Sequence, residues 1–310
     1  MDLNEENFFI KISVGHHGRE ALKGEFTSTS AMSSVVPGFC PEPIAWGTFE
    51  SDQDIHFYMC KFYNFHNDGR MPNPESFCQN LANLHKKSES PNRKFGFDCT
   101  TYNGDLPQNN TWHDSWEAFF ANGLRHILDV RKARAGPHPA ELEKLLPTLF
   151  DVVIPRLLRP LESNGRKVKP SLVHGDLWYG NASVLVESDQ AIVYDPASFY
   201  AHNECITSLI SPTLAKSRRA GLKKNFHADE LGNWLPPRNK FNKAYFDAYH
   251  SLVEKSEPKE DYDDRNSLYS LYVSSNSSIN PVWTENSLRH SSTDGSTYMQ
   301  LRFSQTMIAT

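Results

Sequence analysis

The stretch that decides the fold is Ser171-Leu-Val-His-Gly-Asp-Leu-Trp-Tyr-Gly-Asn181, which is followed fourteen residues later by Asp195. Asn181 lies five residues after Asp176, and this D-x-x-x-x-N spacing is typical of a kinase catalytic loop. Asp195 ends the apolar run Ala191-Ile-Val-Tyr194, which predicts a strand with a carboxylate at its end. In phosphoryl transfer one carboxylate accepts a hydroxyl proton, while an amide and a second carboxylate hold magnesium. A Gly-Asp pair alone indicates only a turn, so the joint spacing carries the prediction.

The same residues resemble the fructosamine/ketosamine-3-kinase family. The resemblance rests first on His174-Gly-Asp-Leu-Trp178, Gly180-Asn181 and Tyr194-Asp-Pro-Ala-Ser-Phe-Tyr200. It covers about residues 8 to 204 and resumes at 230 to 271, and it includes the segments Phe8-Phe-Ile-Lys11, Gly24-Glu25, Lys94-Phe-Gly-Phe97 and Trp112 to Phe120. Tyr179 departs from the family pattern, which has serine there, and this bears on substrate detail rather than on the chemistry.

The resemblance implies an α+β, protein-kinase-like fold with a small strand-rich lobe and a large helical lobe. It also implies ATP and Mg²⁺ as cofactors. The expected phosphate acceptor is a ketosamine, carried by a glycated protein lysine or by a free amine. In this arrangement Asp176 is the catalytic base, and Asn181 and Asp195 are the metal ligands.

A lysine–glutamate pair and a hinge complete the predicted nucleotide site. Phe8 to Ser13 predicts a strand that bears Lys11, and residues 19–26 predict a helix that bears Glu25. The spacing alone leaves an ordinary exposed charge pair equally open, whereas the resemblance favours the pair that positions phosphates in kinases. Two further predicted strands, 45–49 and 55–59, lead to Met59 and Cys60, where a kinase has the hinge whose backbone meets adenine.

Composition excludes several classes of protein. The chain has 310 residues, of which 22% are charged, and a net charge of −5, so we expect no nucleic acid partner. No apolar run is long enough to span a membrane, so we expect neither a membrane partner nor a secretory signal. The five cysteines are scattered without a C-x-x-C pair, which favours reduced thiols in a cytoplasmic protein over zinc or disulfides.

The order of predicted elements divides the chain into three parts. Residues 1–62 predict a partial N-terminal kinase lobe, and residues 63–271 predict a helical lobe that contains the catalytic loop. Within this lobe the apolar stripe from Trp112 to Leu128 is typical of core, and two more helices are expected at 139–150 and 154–161. The tail, 272–310, is rich in Ser, Asn and Thr and predicts disorder.

Two irregularities stand out against the family pattern. Only ten residues precede Lys11, so the glycine-rich hairpin that covers phosphates in kinases is expected to be missing. Either the chain begins late, or this copy binds ATP weakly. Residues 205–229 match nothing in the fold and predict an aberrant insertion, of the kind that a translated retained intron produces. Codons for Cys205 and Ala228-Asp229 can place GT and AG at its ends.

The roles of several other residues follow from their surroundings in sequence. We expect His174 to brace the catalytic loop and His85 to be a structural histidine within a helix. Trp178 fits a sugar-stacking platform and a buried core residue equally well. Tyr200 and His202 flank the metal strand and are weaker candidates for the acceptor pocket.

The leading functional prediction is an ATP-dependent ketosamine kinase that acts in protein deglycation. The main alternative is a choline or aminoglycoside kinase, because these enzymes share the D-x-x-x-x-N and downstream Asp arrangement. A pseudokinase or binding module is favoured by the absent hairpin and opposed by the intact Lys11, Glu25, Asp176, Asn181 and Asp195.

Overall fold

The strands form small antiparallel sheets and the helices are separate elements, as the predicted α+β class implies. A computed structural model describes residues 6–66, 68–207, 240–277 and 297–302. The strands are β1 (Asn7–Val14), β2 (Pro43–Phe49), β3 (Asp52–Lys61), β4 (Tyr102–Asn103), β5 (Leu106–Pro107), β6 (Ser171–Val173), β7 (Ala182–Val184), β8 (Ala191–Val193), β9 (Phe199–Ala201) and β10 (Thr297–Arg302). The α-helices are α1 (Gly15–Val35), α2 (Pro74–Lys87), α3 (Trp116–Ala135), α4 (Ala140–Thr148), α5 (Ile154–Leu158), α6 (Glu204–Thr207), α7 (Lys243–Leu252) and α8 (Tyr262–Ser277).

The N-terminal part is an antiparallel sheet with the order β10–β1–β3–β2, against which α1 packs. The sharp turn from β1 into α1 occurs at Gly15, whose φ of +71° is readily adopted only without a Cβ atom. The predicted strands at 8–13, 45–49 and 55–59 are confirmed with longer bounds. The helix predicted at 19–26 is also present, but it begins at Gly15 and runs to Val35.

The larger part of the chain is helical and encloses the main core. Asn73 caps α2 because its side chain accepts hydrogen bonds from the N–H groups of Glu75 and Ser76, and Ser115 caps α3 in the same way. The predicted stripe of α3 is confirmed as core; its buried members are Trp116, Phe119, Phe120, Leu124, Ile127 and Leu128. Within the described ranges, no helix has both the length and the apolar character that crossing a bilayer requires.

The helices predicted at 139–150 and 154–161 are present but interrupted. The first is α4, which passes into a π-helical turn at Leu149–Val153. The second is α5, which ends in a 3₁₀ turn at Arg159–Glu162. Pro155 and Pro160 lack the backbone N–H that a regular helix uses, which accounts for the irregular hydrogen bonding around them.

The sequence predicts an aberrant insertion at 205–229 and a disordered tail at 272–310. Only residues 205–207 of the predicted insertion are described, as part of α6, and the rest lies outside the described residues. In the tail, where disorder is expected from residue 272, the structure instead continues α8 to Ser277. It also pairs Thr297–Arg302 with the edge of β1 that does not face β3. Backbone hydrogen bonds to β1 supply the order that the polar composition of this segment does not predict.

A fully buried ion pair joins the end of the catalytic strands to the C-terminal helices. Arg265 of α8 lies 3.1 Å from Glu204, and both side chains have no exposed area. Glu204 also accepts the N–H of Ser256 at 2.6 Å, while Arg265 donates to the carbonyl oxygens of Ser256 and Pro258. These additional hydrogen bonds are the condition under which a buried pair is tolerated.

This ion pair leads to a stability prediction. Arg265→Ala leaves the Glu204 carboxylate buried without its counter-charge, which should cost about 3–5 kcal/mol of unfolding free energy. Arg159→Ala is the control, because Arg159 contacts Glu117 at the surface, where a pair contributes about 0–1 kcal/mol. Urea unfolding of both variants measures the difference, and equal losses would contradict this interpretation of the buried pair.

Candidate active site

Two strand pairs bring the predicted catalytic residues to one place. In the first pair β7 and β8 are antiparallel, with Ala182 opposite Val193, so Asn181 before β7 and Asp195 after β8 lie at the same end. The N–H of Tyr194 donates to the carbonyl of Asn181 at 3.1 Å and extends this pairing. The fourteen-residue spacing between Asn181 and Asp195 therefore corresponds to a hairpin whose two ends lie side by side.

The second strand pair brings the loop with Asp176 to the same end. Val173 of β6 lies opposite Phe199 of β9, and the N–H of Ala197 donates to the carbonyl of His174 at 2.9 Å. Gly175 has a φ of +83°, and a Cβ atom there would lie 1.9 Å from the carbonyl oxygen of Ala197. Only glycine fits at this close approach, so the Gly-Asp pair of the sequence is required by packing as well as by the turn.

His174 braces the catalytic loop, as predicted. Its Nε2 atom donates to the carbonyl of Tyr194 at 3.1 Å, and its Nδ1 atom accepts the N–H of Asp176 at 3.2 Å. The bond at Nδ1 needs the neutral ring, because a protonated Nδ1 cannot accept a hydrogen bond, and burial lowers the pKa of His174 to about 4. His85 is likewise confirmed as structural, since its buried ring bonds the hydroxyl of Tyr249 at 2.7 Å.

Asp176 and Asn181 are in direct contact. The Asn181 amide donates to the backbone carbonyl of Asp176 at 2.8 Å and to its Oδ2 atom at 3.1 Å. The 3₁₀ turn at Tyr179–Asn181 folds the chain back to make these bonds. Because the amide nitrogen faces Asp176, the amide oxygen of Asn181 points away and is placed to act as a ligand.

Lys11 joins the sheet to the catalytic strands. Its ammonium lies 2.8 Å from the Glu25 carboxylate and 3.5 Å from Oδ1 of Asp195. The structure thus brings Lys11 and Glu25 together, as the family resemblance implies, and adds the contact with Asp195. Lys11 and Glu25 are each 13% exposed in their side chains, whereas the Asp195 carboxylate is 49% exposed and accessible to a ligand.

The site has a surplus of negative charge. Glu25, Asp176 and Asp195 supply three carboxylates, whereas Lys11 is the ammonium group that contacts two of them. Burial, followed by the nearby Asp195 carboxylate, raises the pKa of Asp176 to about 7, although the Asn181 amide acts in the opposite direction. Burial also raises the pKa of Glu25, and Lys11 only partly offsets this effect.

These residues fit a magnesium ion. The carboxylate of Asp195 and the amide oxygen of Asn181 are hard oxygen donors, and Mg²⁺ in kinases uses one or two protein carboxylates together with substrate phosphates. A bound divalent cation would favour the ionised forms of Asp176 and Glu25, whose pKa values are raised in its absence. No trio of His, Cys, Asp or Glu side chains within 6–66, 68–207, 240–277 and 297–302 forms a closed metal cluster. An open site of this kind does not need such a cluster.

The structure places Met59 and Cys60 inside β3, next to the segment that leaves the sheet. Met59 lies opposite Ile10 of β1 and Ala45 of β2, so its backbone stands between two paired strands. The Cys60 side chain is buried in a small cluster with Leu22 and Tyr58. Their predicted contact with adenine stays a prediction.

Trp178 and the two weaker candidates for the acceptor pocket, Tyr200 and His202, fall into two groups. Tyr200 is partly buried and stacks on Trp112 with ring centroids 6.1 Å apart. Trp178 is partly exposed, and its ring lies so close to Gly180 that a Cβ atom there would be 2.3 Å away. His202, by contrast, is buried among the helices, where it bonds Tyr269 and Ser256, so it does not line a pocket.

Sequence reasoning missed the residues that hold the chain directly after Asp195. Thr101 and Gln108 contact the carbonyl of Ala197, and Ser28 contacts the N–H of Ser198. Polar residues scattered over the sequence give no spacing signal. The run of three polar residues in Leu106-Pro-Gln-Asn-Asn110 was the only available hint.

Comparison with known proteins agrees with this geometry. The family model described as fructosamine kinase matches residues 1–213, which is more than half of the chain. The chain belongs to the fructosamine kinase family. The kinase-like arrangement around Asp176 and Asp195 is therefore that of a phosphotransferase with a hydroxyl group as acceptor.

Individual members of the fructosamine kinase family match over most of the chain. A Synechocystis sp. protein assigned as a ketoamine kinase is 29% identical, over 86% of this chain and 75% of its own length. The ketosamine-3-kinase of Mus musculus is 28% identical, over 87% of this chain and 82% of its own length. A crystal structure of a Haemophilus somnus protein assigned as a fructosamine-3-kinase shares the fold, with a TM-score of 0.59 and 21% identity. The structural match covers 86% of this chain and 74% of the Haemophilus somnus chain.

The raised pKa of Asp176 predicts a pH-dependent stability difference. The folded-state pKa of about 7 exceeds the ordinary value of 3.8, so the wild type loses stability as pH rises from the lower value through the higher one. Asp176→Asn keeps an acceptor for Asn181 but has no carboxyl group to ionise. The melting temperature of this variant relative to wild type should therefore be higher at about pH 8 than at about pH 5. A difference that does not change with pH would contradict the raised pKa.

Proposed function

We propose that the protein uses ATP, with Mg²⁺, to phosphorylate a sugar hydroxyl of a ketosamine in the cytoplasm. The observation that carries the proposal is the convergence of Lys11, Asp176, Asn181 and Asp195 in a member of the fructosamine kinase family. The acceptor is a glycated protein lysine or a free ketoamine, and the reaction serves to remove such adducts. Five cysteines without a disulfide are consistent with a reducing compartment.

Each residue has a role that its contacts support. Asp176 accepts the proton of the acceptor hydroxyl, and a carboxyl pKa near 7 suits a general base at neutral pH. Asn181 and Asp195 would hold magnesium, which when bound neutralises the charge on the β- and γ-phosphates. Lys11, held by Glu25, binds the phosphates from the side of the sheet.

Two features support a ketosamine as the acceptor. The relatives that match most of the chain are described as a ketoamine kinase and as a ketosamine-3-kinase. Trp178, two residues after Asp176, presents a partly exposed indole on which a sugar ring can stack. In this proposal Met59 and Cys60, near the end of the interior strand β3, contact adenine next to the segment that leads into the helical part.

The role of Asp176 is tested by its removal. Asp176→Ala should lower the rate of phosphate transfer to a ketoamine by about 10²- to 10⁴-fold, because the base is lost. Binding of Mg-ATP, followed by the rise in melting temperature, should persist. Asp129→Ala, which removes an exposed carboxylate on α3, is the matched control and should retain full turnover. Unchanged turnover in Asp176→Ala would remove this residue from the role.

The acceptor class is tested by direct competition. Initial rates with a ribosylated or fructosylated lysine, with choline and with an aminoglycoside should favour the glycated lysine. Faster transfer to choline or to the aminoglycoside would replace the proposed acceptor. A wild-type protein whose melting temperature does not respond to Mg-ATP would instead be a binding module, and the kinase proposal would fail.

A further inference from the structure

Four buried polar side chains hold the chain directly after Asp195. Ser28, Thr101, Gln108 and Asn110, which we call the polar clamp, are each at most 7% exposed. They come from two separate parts of the sequence, the helix α1 and the segment that contains β4 and β5. Burial of so many hydrogen-bonding groups is costly. Their amide nitrogens and hydroxyl groups are paired, whereas the amide oxygens of Gln108 and Asn110 have no hydrogen-bond partner among the described residues.

Gln108 and Thr101 of the polar clamp contact the backbone after Asp195 directly, whereas Asn110 bonds Thr101 and the carbonyl of Cys99. Gln108 uses its two Nε2 hydrogens on the carbonyl of Ala197, at 3.0 Å, and on Oγ1 of Thr101, at 3.2 Å. Asn110 donates to the same Oγ1 atom at 2.8 Å. The Thr101 hydroxyl, which accepts both bonds, has its own hydrogen available for the carbonyl of Ala197 or Ser198, each 3.4 Å away.

The polar clamp also reaches the helix that carries Glu25. Ser28 lies one turn after Glu25 on α1, and its Oγ atom accepts the buried N–H of Ser198 at 3.0 Å. Beside Glu25, a Cβ atom on Gly24 would lie 2.6 Å from the carbonyl of Thr100, so α1 packs directly on the backbone next to Thr101. The clamp therefore connects the helix of Glu25 to the strand of Asp195 through buried contacts.

Asp195 needs external support of this kind. Its φ of +55° is a left-handed conformation that costs about 1–3 kcal/mol for a residue with a side chain. Its carboxylate is half exposed, so packing around the side chain does not fix its direction. The backbone hydrogen bonds at Ala197 and Ser198 do fix the chain that follows it.

We propose that Thr101, Gln108 and Ser28 are positioning residues that set Asp195 for metal binding and align it with Glu25. This inference rests on the proposed function, because it assigns Asp195 to the metal. Residues that orient a metal ligand without touching the ion affect metal affinity or activity by about 10- to 100-fold. The polar clamp orients Asp195 through Ala197 and Ser198, which lie two and three residues after it in the chain.

Two variants of Thr101 separate positioning from packing. Thr101→Val keeps the shape and removes the hydroxyl, whereas Thr101→Ser keeps the hydroxyl and removes a buried methyl group. The measurement is the affinity for Mn²⁺ in the presence of a non-hydrolysable ATP analogue, followed by the electron paramagnetic resonance signal of the free ion. Thr101→Val should weaken Mn²⁺ binding by about 10- to 100-fold, and Thr101→Ser should bind like wild type.

The inference is wrong if the two Thr101 variants show only the effects expected from packing. If packing alone matters, Thr101→Ser loses more stability than Thr101→Val, and Mn²⁺ affinity does not change in either variant. Ser28→Ala is the second variant should Thr101→Val not fold; it leaves the N–H of Ser198 without its acceptor and should also weaken Mn²⁺ binding. If Ser28→Ala binds Mn²⁺ with wild-type affinity, the positioning inference is wrong and the proposed function is unaffected. A wild-type protein that does not bind Mn²⁺ with the nucleotide analogue would overturn the proposed function as well.

Discussion

The sharing of one ammonium group between two carboxylates is the interaction on which the site depends. Lys11 contacts Glu25 from α1 and Asp195 from the end of the β7–β8 hairpin, so one side chain joins the sheet to the catalytic strands. Burial, with a smaller contribution from the nearby Asp195 carboxylate, raises the pKa of a third carboxyl group, Asp176, to about 7. The charge left uncompensated is what a divalent cation would neutralise.

Short antiparallel pairs, rather than long elements, set the geometry of these groups. The β6–β9 and β7–β8 pairs contain three residues on each strand, and their free ends meet where Asp176 and Asp195 stand. Such short strands have little stability of their own, so buried side chains must hold them. The polar clamp does this on one side of Asp195, and the Glu204–Arg265 ion pair anchors the chain beyond β9.

Much of the site could be predicted because its residues are close in sequence or follow a regular spacing. Asp176, Asn181 and Asp195 belong to one continuous stretch, and Lys11 and Glu25 lie on a strand and the next helix. Thr101, Gln108 and Ser28 could not be predicted, because they act through the backbone of distant residues and need no particular spacing. The pairing of β10 with β1 was missed for the same reason. It depends on backbone hydrogen bonds between segments almost the whole chain apart, which composition does not encode.

The central claim is that Asn181 and Asp195 hold one divalent ion beside a nucleotide that Lys11 contacts. A crystal structure of the protein with Mn²⁺ and a non-hydrolysable ATP analogue, with the ion located by its anomalous scattering, tests this most directly. The account predicts one ion bonded to both the amide oxygen of Asn181 and the carboxylate of Asp195, with Asp176 facing the γ-phosphate. An ion bound elsewhere, or Asp176 and Asp195 directed into separate cavities, would contradict it.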